Sequence, residues 1–224
     1  MYREHSIALV IPCFNEERGI AAVLRGLPSC IDEVIVVDNN STDGTAATAQ
    51  ALGANVVFER RKGYGRAYLA GLPAARGDII ATLDGDGQYP STAIPAMVDH
   101  LLDQDLDFVS GARFPLVNGA AMCRRNVVGN KIQTYAMRAL FGVAVTDSQS
   151  GMWAFRRSIL PRLRLVSAGM SFSEEIKLEA IRQRGIRFGE LHIDYHERIG
   201  QTKLYPWRDG VLNMWFLLRR RLGR

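Results

Sequence analysis

Residues 79–88 have the sequence IIATLDGDGQ, in which an apolar run ends in alternating acidic and glycine residues. A short apolar run of this kind predicts a buried strand. If the backbone stays extended beyond Leu83, side chains two positions apart lie on one face, so that Asp84, Asp86 and Gln88 direct two carboxylates and an amide oxygen to one point. Magnesium is commonly bound by one or two carboxylates together with substrate phosphates. The stretch therefore predicts a cation and diphosphate site, with an ordinary acidic turn as the alternative.

The composition limits the class of protein. A chain of 224 residues is long enough for one domain with a sizeable core, and 47% hydrophobic and 23% charged residues are typical of a soluble globular protein. No stretch approaches the roughly 20 consecutive apolar residues that span a bilayer, and the first residues, MYREH, show no secretory pattern. Three cysteines without metal-ligand spacing predict reduced thiols in a cytoplasmic protein. The net charge of +5 predicts an anionic partner, which could be nucleic acid, a membrane or a phosphorylated substrate.

Strand and helix patterns alternate through the first half of the chain. Apolar runs predict strands at residues 7–11, 34–37, 56–58 and 79–83, and the intervening segments predict helices at 16–27, 45–52 and 66–75. Asn15 is a suitable N-cap for the first helix. Strands separated by helices predict a mostly parallel sheet covered on both faces. Ligands bind beyond the carboxyl ends of such strands, where the polar residues after the first, second and fourth strands converge.

The second half is less regular. Its patterns predict helices at residues 92–102, 127–141 and 173–184, and strands at 107–109, 153–155 and 188–196. No linker, repeat or low-complexity segment divides the chain. The predicted fold class is therefore a single α/β domain with a mostly parallel central sheet flanked by helices on both faces.

Three segments together resemble the inverting glycosyltransferase family 2, which has the Rossmann-like GT-A fold. They are IPCFNEE at residues 11–17, VVDNNSTDGT at 36–45 and LDGDGQYP at 83–90. The resemblance implies a nucleotide-sugar donor, and it implies that Asp84, Asp86 and Gln88 bind Mg²⁺ or Mn²⁺. It also implies that Asp38 contacts the base, uracil or guanine. The implied donor-binding residues are Pro12, Phe14, Asn15, Glu16, Asp38, Asn40, Lys62, Asp84, Gly85 and Asp86.

The second half resembles the polyprenyl-phosphate sugar synthases of the dolichol-phosphate mannose synthase type. The segments that carry this looser resemblance are GARF at 111–114, RR at 124–125, DSQSG at 147–151, Glu175, HER at 196–198 and TKL at 202–204. The resemblance implies an acceptor-phosphate set of Arg113, Arg125, Arg198 and Lys203. The implied catalytic residues are Asp86, Asp147, Arg113 and Arg198, and Gln149 and Glu175 complete the site.

The chemistry of the acceptor leaves two alternatives open. If the acceptor is the hydroxyl of a saccharide or small molecule, a general base must remove its proton, and Asp147 is the candidate. A polyprenyl phosphate has a second pKa of about 6 and is already anionic, so it needs no base. We expect transfer from GDP-mannose or a UDP-hexose to polyprenyl or dolichyl phosphate. A non-catalytic nucleotide-sugar or nucleic-acid binder is the alternative of another class, although only 8% aromatic residues make a stacking surface for nucleic acid unexpected.

The C-terminal segment is expected to form a helix of its own. We expect residues 1–205 to form the transferase domain, with a nucleotide-sugar half at about 1–110 and an acceptor half at 111–205. Pro206 can occupy the first helical position. Residues 211–218 are apolar except for Asn213, and three arginines follow at 219–221. Residues 206–224 could lie in the interface of the cytoplasmic face of a membrane, contact a partner subunit or pack on the core.

Overall fold

The computed structural model describes residues 1–201 and 206–223. Within these ranges seven strands form one sheet: β1 (Ile7–Cys13), β2 (Glu33–Asp38), β3 (Asn55–Phe58), β4 (Ile79–Thr82), β5 (Phe108–Ala112), β6 (Trp153–Arg156) and β7 (Phe188–His192). Their order in the sheet is β3-β2-β1-β4-β6-β5-β7. Only β6 runs antiparallel to its neighbours among these strands. The prediction of a mostly parallel sheet is confirmed.

Helices cover both faces of the sheet because the central strands are apolar on both sides. Leu9 of β1 belongs to one core with Ile20, whereas its neighbour Val10 belongs to a second core with Tyr68 and Phe172. Successive side chains of a strand point to opposite faces, so a continuous apolar run requires two cores. The helices are α1 (Glu17–Arg25), α2 (Thr45–Ala51), α3 (Tyr64–Gly71), α4 (Ile94–Asp103), α5 (Arg124–Phe141), α6 (Phe172–Arg182) and α7 (Pro206–Leu222).

The backbone departs from the predicted extended conformation directly after β4. The strand ends at Thr82. The Gln88 backbone N–H donates to Asp86 Oδ1 over 3.0 Å, and Gly87 has a φ of +77°. The expectation that extended backbone aligns the two aspartates and Gln88 is therefore wrong. A turn brings the two carboxylates together instead.

Asn15 does not cap α1 as predicted. Its Oδ1 accepts a hydrogen bond from the Thr42 backbone N–H over 2.7 Å, and its own backbone N–H donates to Ser41 Oγ over 3.0 Å. Helix α1 begins at Glu17, without a side-chain cap. Asn15 therefore joins the end of β1 to the turn that follows β2.

Helix α7 packs along α5 and begins at Pro206, as predicted. Gln133 Nε2 of α5 donates to the Gly210 carbonyl over 3.0 Å. Asn213 and Leu217 are buried, and Leu217 joins a small third core with Met137. One face of α7 therefore docks on the core. None of the helices in the described ranges combines the length and hydropathy that crossing a bilayer requires.

Candidate active site

A cavity of about 1010 Å³ lies beyond the carboxyl ends of β1 and β4. Its volume is close to the upper end of the range for pockets that bind small molecules, about 300–1,000 Å³. Residues from the start of α5, the start of α6 and α7 also line it. Eleven of the predicted site residues line it: Pro12, Phe14, Glu16, Asp84, Gly85, Asp86, Gln88, Arg113, Arg125, Gln149 and Arg198.

The structure describes six other predicted residues, and none of them lines the cavity: Asn15, Asp38, Asn40, Lys62, Asp147 and Glu175. The Asp38 carboxylate is buried and accepts the Ser41 backbone N–H over 3.1 Å. Lys62 Nζ lies 4.2 Å from the centre of the Phe14 ring, so it adjoins the cavity through that ring. Contacts of Asp38, Asn40 and Lys62 with a donor stay predictions, and Lys203 lies outside the described residues.

The carboxylates of Asp84 and Asp86 interact electrostatically at the floor of the cavity. The Tyr64 hydroxyl donates to Asp84 Oδ1 over 3.1 Å. Burial, followed by the negative charge of Asp86, raises the pKa of Asp84 to about 7. Two carboxylates that repel each other in a partly buried site favour the binding of a cation.

Arg198 supplies positive charge to this floor. Its guanidinium forms ion pairs with Asp86 and with Glu16. The segment that carries Arg198 lies along the turn after β4, because the His196 N–H donates to the Gln88 carbonyl over 2.8 Å and the Ile199 N–H to the Asp86 carbonyl over 2.9 Å. Gly87 suits the turn at this point, because its φ of +77° lies in the left-handed region that favours glycine.

The residues present fit a cation that is shared with a diphosphate. Among the described residues no group of three or more His, Cys, Asp or Glu side chains could hold a metal ion by itself. Magnesium, however, usually takes one or two protein carboxylates and completes its shell with phosphates and water, which is what Asp84 and Asp86 can offer. Gln88 is less clearly placed for this role, because its Nε2 donates to the carbonyls of Ala121 and His196, each over 3.3 Å. Its predicted metal contact stays a prediction.

Asp147 forms a buried bidentate ion pair with Arg113. Arg113 Nε lies 2.7 Å from Asp147 Oδ2, and Nη2 lies 2.9 Å from Oδ1. Burial opposes ionisation of Asp147, but the Arg113 guanidinium outweighs it and keeps the pKa of Asp147 below its ordinary value. Because Asp147 has no exposed surface, its carboxylate cannot reach a substrate in this arrangement. The geometry argues against Asp147 as a general base and favours a role in orienting Arg113, which does line the cavity.

Three tyrosines in the cavity wall were not predicted as site residues. The Gly151 N–H donates to the Tyr89 hydroxyl oxygen over 2.8 Å, and the rings of Tyr89 and Tyr195 meet edge to face with centres 5.1 Å apart. The Arg113 guanidinium carbon lies 5.1 Å from the centre of the Tyr195 ring. Tyr89 was detectable, because it belongs to the quoted LDGDGQYP segment. Tyr64, which binds Asp84, and Tyr195 have no comparable local signal.

The glycines beside Tyr64 have a packing role. A Cβ atom on Gly65 would lie 2.0 Å from the Ser167 carbonyl oxygen, and one on Gly63 would lie 2.3 Å from that of Ala168. Either contact is far too short for a real side chain. These glycines therefore let the loop before α6 approach α3 closely.

Gln149 is fixed from two helices. Its Nε2 donates to Glu174 Oε1 over 2.6 Å, and Asn213 Nδ2 of α7 donates to its Oε1 over 3.1 Å. Glu175, which was predicted in the site, instead accepts the backbone N–H groups of Val166 and Ser167 over 2.9 and 2.8 Å. The predicted role of Glu175 stays a prediction, and its neighbour Glu174 is the residue that contacts Gln149.

Glu174→Gln is expected to flatten the pH dependence of stability. Burial raises the pKa of Glu174 well above its ordinary value of 4.5, and Lys177 offsets this only in part. A carboxyl that holds its proton more tightly when folded stabilises the protein below pH 4.5, and this contribution is lost as the pH rises through the folded-state pKa. Urea unfolding is measured by circular dichroism from pH 5 to pH 8. Over this range the free energy of unfolding should fall less for E174Q than for the wild type. The exposed Glu4→Gln variant is the control, and equal slopes for E174Q and wild type would contradict the assignment.

The comparisons with known proteins agree with this fold and site. Residues 8–164 match the model of glycosyl transferase family 2. The dolichyl-phosphate hexose transferase of Haloferax volcanii is 34% identical over 214 residues, which cover 94% of this chain and 91% of the relative. The low-salt glycan biosynthesis hexosyltransferase Agl6 of the same organism is 31% identical over 220 residues, 95% of this chain but 53% of the relative, so the chain spans about half of its length.

A solved structure shows the same architecture. Glucosyl-3-phosphoglycerate synthase from Mycobacterium tuberculosis, crystallised with Mn²⁺, UDP and phosphoglyceric acid, superposes with a TM-score of 0.75 at 24% identity. The match covers 98% of this chain and 79% of that one, and it confirms the GT-A fold. The family model spans well over half of the chain, and the two relatives exceed 30% identity over nearly all of it. The chain therefore belongs to glycosyl transferase family 2 and is a glycosyltransferase.

Proposed function

We propose that this glycosyltransferase transfers a hexose, with inversion, from a nucleotide diphospho-sugar to a polyprenyl phosphate, and that it requires Mg²⁺ or Mn²⁺. The observation that carries the proposal is the set of charged side chains that line the cavity. Asp84 and Asp86 line it beyond β4, with Arg198 paired to Asp86, and Arg113 after β5 and Arg125 at the start of α5 add two further cationic groups. The Asp147 carboxylate, which a hydroxyl acceptor would need as its base, is buried against Arg113.

The donor side must accommodate the charge of the departing diphosphate. When the bond between the anomeric carbon and the diphosphate oxygen breaks, its electron pair stays on that oxygen. Asp84 and Asp86 would hold the divalent cation, which acts as a Lewis acid on the diphosphate when bound. Arg198 lies beside Asp86 and can donate hydrogen bonds to the same oxygens once it exchanges its carboxylate partners for a phosphate.

The acceptor side must hold an anion opposite the leaving group. A phosphate oxygen that is already anionic forms the new bond to the anomeric carbon, so no proton has to be removed. Arg113 is held rigidly by Asp147 and can orient this phosphate. Arg125 is exposed in the first turn of α5, where the helix dipole also favours an anion. The printed name of the dolichyl-phosphate hexose transferase relative supports this class of acceptor.

A transfer assay tests the proposal directly. A thermal-shift panel of UDP- and GDP-sugars with Mn²⁺ first selects the donor. The donor, radiolabelled in its sugar, is then incubated with a short-chain polyprenyl phosphate or with the matching polyprenol. We expect product only with the phosphate, and we expect EDTA to lower the rate by at least about 100-fold, as the loss of a major charge-stabilising group does. Equal transfer to the polyprenol, or an undiminished rate in EDTA, would contradict the proposal.

A further inference from the structure

Helix α7 has an apolar stripe that faces solvent. Trp207, Val211, Trp215, Leu218 and Leu222 are all exposed, with 77% of Trp207 and 62% of Trp215 accessible. Their spacing of three and four residues places them on one face of the helix. The opposite face carries the buried Asn213 and Leu217 and is already packed against the protein. The residues of the exposed stripe therefore do not take part in packing α7 against the rest of the protein.

Helix α5 extends this stripe into a wider surface. Val128, Ile132 and Tyr135 are exposed and lie on one face of α5, again at helical spacing. The two helices are packed together, and Val128, Ile132 and Trp207 line the same cavity. Exposed apolar residues that are grouped in this way mark an interaction site. We call the exposed residues Val128, Ile132, Tyr135, Trp207, Val211, Trp215, Leu218 and Leu222 the α5–α7 face.

The positive charge of the chain is concentrated on the same two helices. Helices α5 and α7 contain eight arginine or lysine residues and one aspartate, a formal net charge of +7, whereas the whole chain has +5. The rest of the chain is therefore slightly acidic. Helices with exposed tryptophan and leucine on one face and basic residues beside it are typical of segments that lie in the interface of an anionic membrane.

The α5–α7 face is continuous with the active-site cavity. Val128 and Ile132 of α5 and Trp207 of α7 are exposed and also line the cavity. Arg124 and Arg125 lie at the same rim. An amphiphile with an anionic head group and a hydrocarbon tail could therefore pass from this face into the cavity without leaving apolar surroundings.

We propose that the α5–α7 face docks on an anionic lipid bilayer and places the mouth of the cavity against the membrane. The inference rests on the proposed function, because a long-chain polyprenyl phosphate resides in lipid and the enzyme must reach it there. Three observations indicate which surface docks: the exposed apolar stripe, the positive charge of α5 and α7, and the continuity of this face with the cavity. Truncating the chain before α7 would be a poor test, because Asn213 and Gly210 form part of the cavity wall.

Flotation with liposomes tests the surface in the intact chain. We expect the protein to float with vesicles of phosphatidylcholine and phosphatidylglycerol, and to float less with phosphatidylcholine alone or at high salt. Val211 and Trp215 do not line the cavity, so the double variant V211E/W215E should reduce binding at least about tenfold without altering the site. Phe58→Glu, which changes an exposed side chain on β3, is the matched control. Circular dichroism verifies folding.

Tryptophan fluorescence gives an independent readout. The chain has three tryptophans, of which Trp153 is buried and Trp207 and Trp215 are exposed. Brominated lipids should quench the two exposed tryptophans and leave Trp153 emitting. Three results would overturn the proposal: no flotation of the wild type, equal flotation of V211E/W215E, or a dimeric wild type that the double variant converts to monomers. The last result would assign the α5–α7 face to a second copy of the chain.

Two acceptors separate this proposal from the proposed function. V211E/W215E should retain transfer to a short-chain, water-soluble prenyl phosphate and lose it, at least about tenfold, with long-chain polyprenyl phosphate in liposomes. A wild type that binds liposomes but uses neither acceptor would contradict the proposed function and leave membrane docking supported. A double variant that uses both acceptors as the wild type does would contradict docking and leave the proposed function supported.

Discussion

Asp86→Asn is expected to reduce sugar transfer at least about 100-fold, the usual effect of removing one group that stabilises the departing charge. The side chain is buried at the floor of the cavity, next to Asp84 and Arg198. Asparagine keeps its size but removes the negative charge that a divalent cation needs. The loss should appear in kcat and in the affinity for Mn²⁺ in the presence of the nucleoside diphosphate, measured by calorimetry.

Glu16→Gln is the informative control for this experiment. Arg198 is paired with both Glu16 and Asp86, so either substitution removes one anchor of its guanidinium. If Asp86 acts by holding a cation, E16Q should lose much less activity than D86N and should bind Mn²⁺ as the wild type does. Equal losses in the two variants would show that Asp86 acts by anchoring Arg198.

The part of the fold that follows from local pattern was predictable. Apolar runs predicted the strands. The reason is that a parallel sheet covered on both faces needs neighbouring residues, such as Leu9 and Val10, to be buried on opposite sides. The placement of Asp84 and Asp86 beyond β4 followed from the same rule, since ligands bind beyond the carboxyl ends of parallel strands. Both carboxylates line the cavity although the chain turns after Thr82, because the position of the strand, rather than extended backbone, brings them there.

The contacts that depend on long-range packing could not be predicted. Arg113 and Asp147 are 34 residues apart, and Gln149 and Asn213 are 64 residues apart. Each pair meets only after β5, β6 and the helices have packed. Local sequence does not distinguish an aspartate that becomes buried from one that acts in catalysis. The role of Asp147 was therefore assigned from the DSQSG segment at 147–151 alone. The need for a glycine at position 65 does not follow from the local sequence either, because the carbonyl that a Cβ atom there would meet belongs to the distant Ser167.

Asp147→Asn is expected to lower the free energy of unfolding by about 3–5 kcal/mol, because it leaves the buried Arg113 guanidinium without its counter-charge. Arg113 is only 5% exposed and cannot recover hydration without a rearrangement. Domains of this kind are stable by about 5–15 kcal/mol, so the loss should be visible as a large shift of the urea midpoint. A wild-type midpoint for D147N would show that the ion pair does not hold this part of the fold.

The double variant R113M/D147L separates the orienting role of Asp147 from a general-base role. Replacing both partners of a buried ion pair by apolar side chains is often neutral for stability, so the double variant should recover most of the stability that D147N loses. It should not recover transfer, because the guanidinium that orients the acceptor phosphate is gone, and the defect should be largest in the KM for the acceptor. If Asp147 were a general base, the folded fraction of D147N would instead have a lower kcat and an unchanged KM for the acceptor. The acidic limb of its pH–rate profile would also be lost. Asp147 is fully buried and its pKa is held low by Arg113, and for that reason we expect the KM effect.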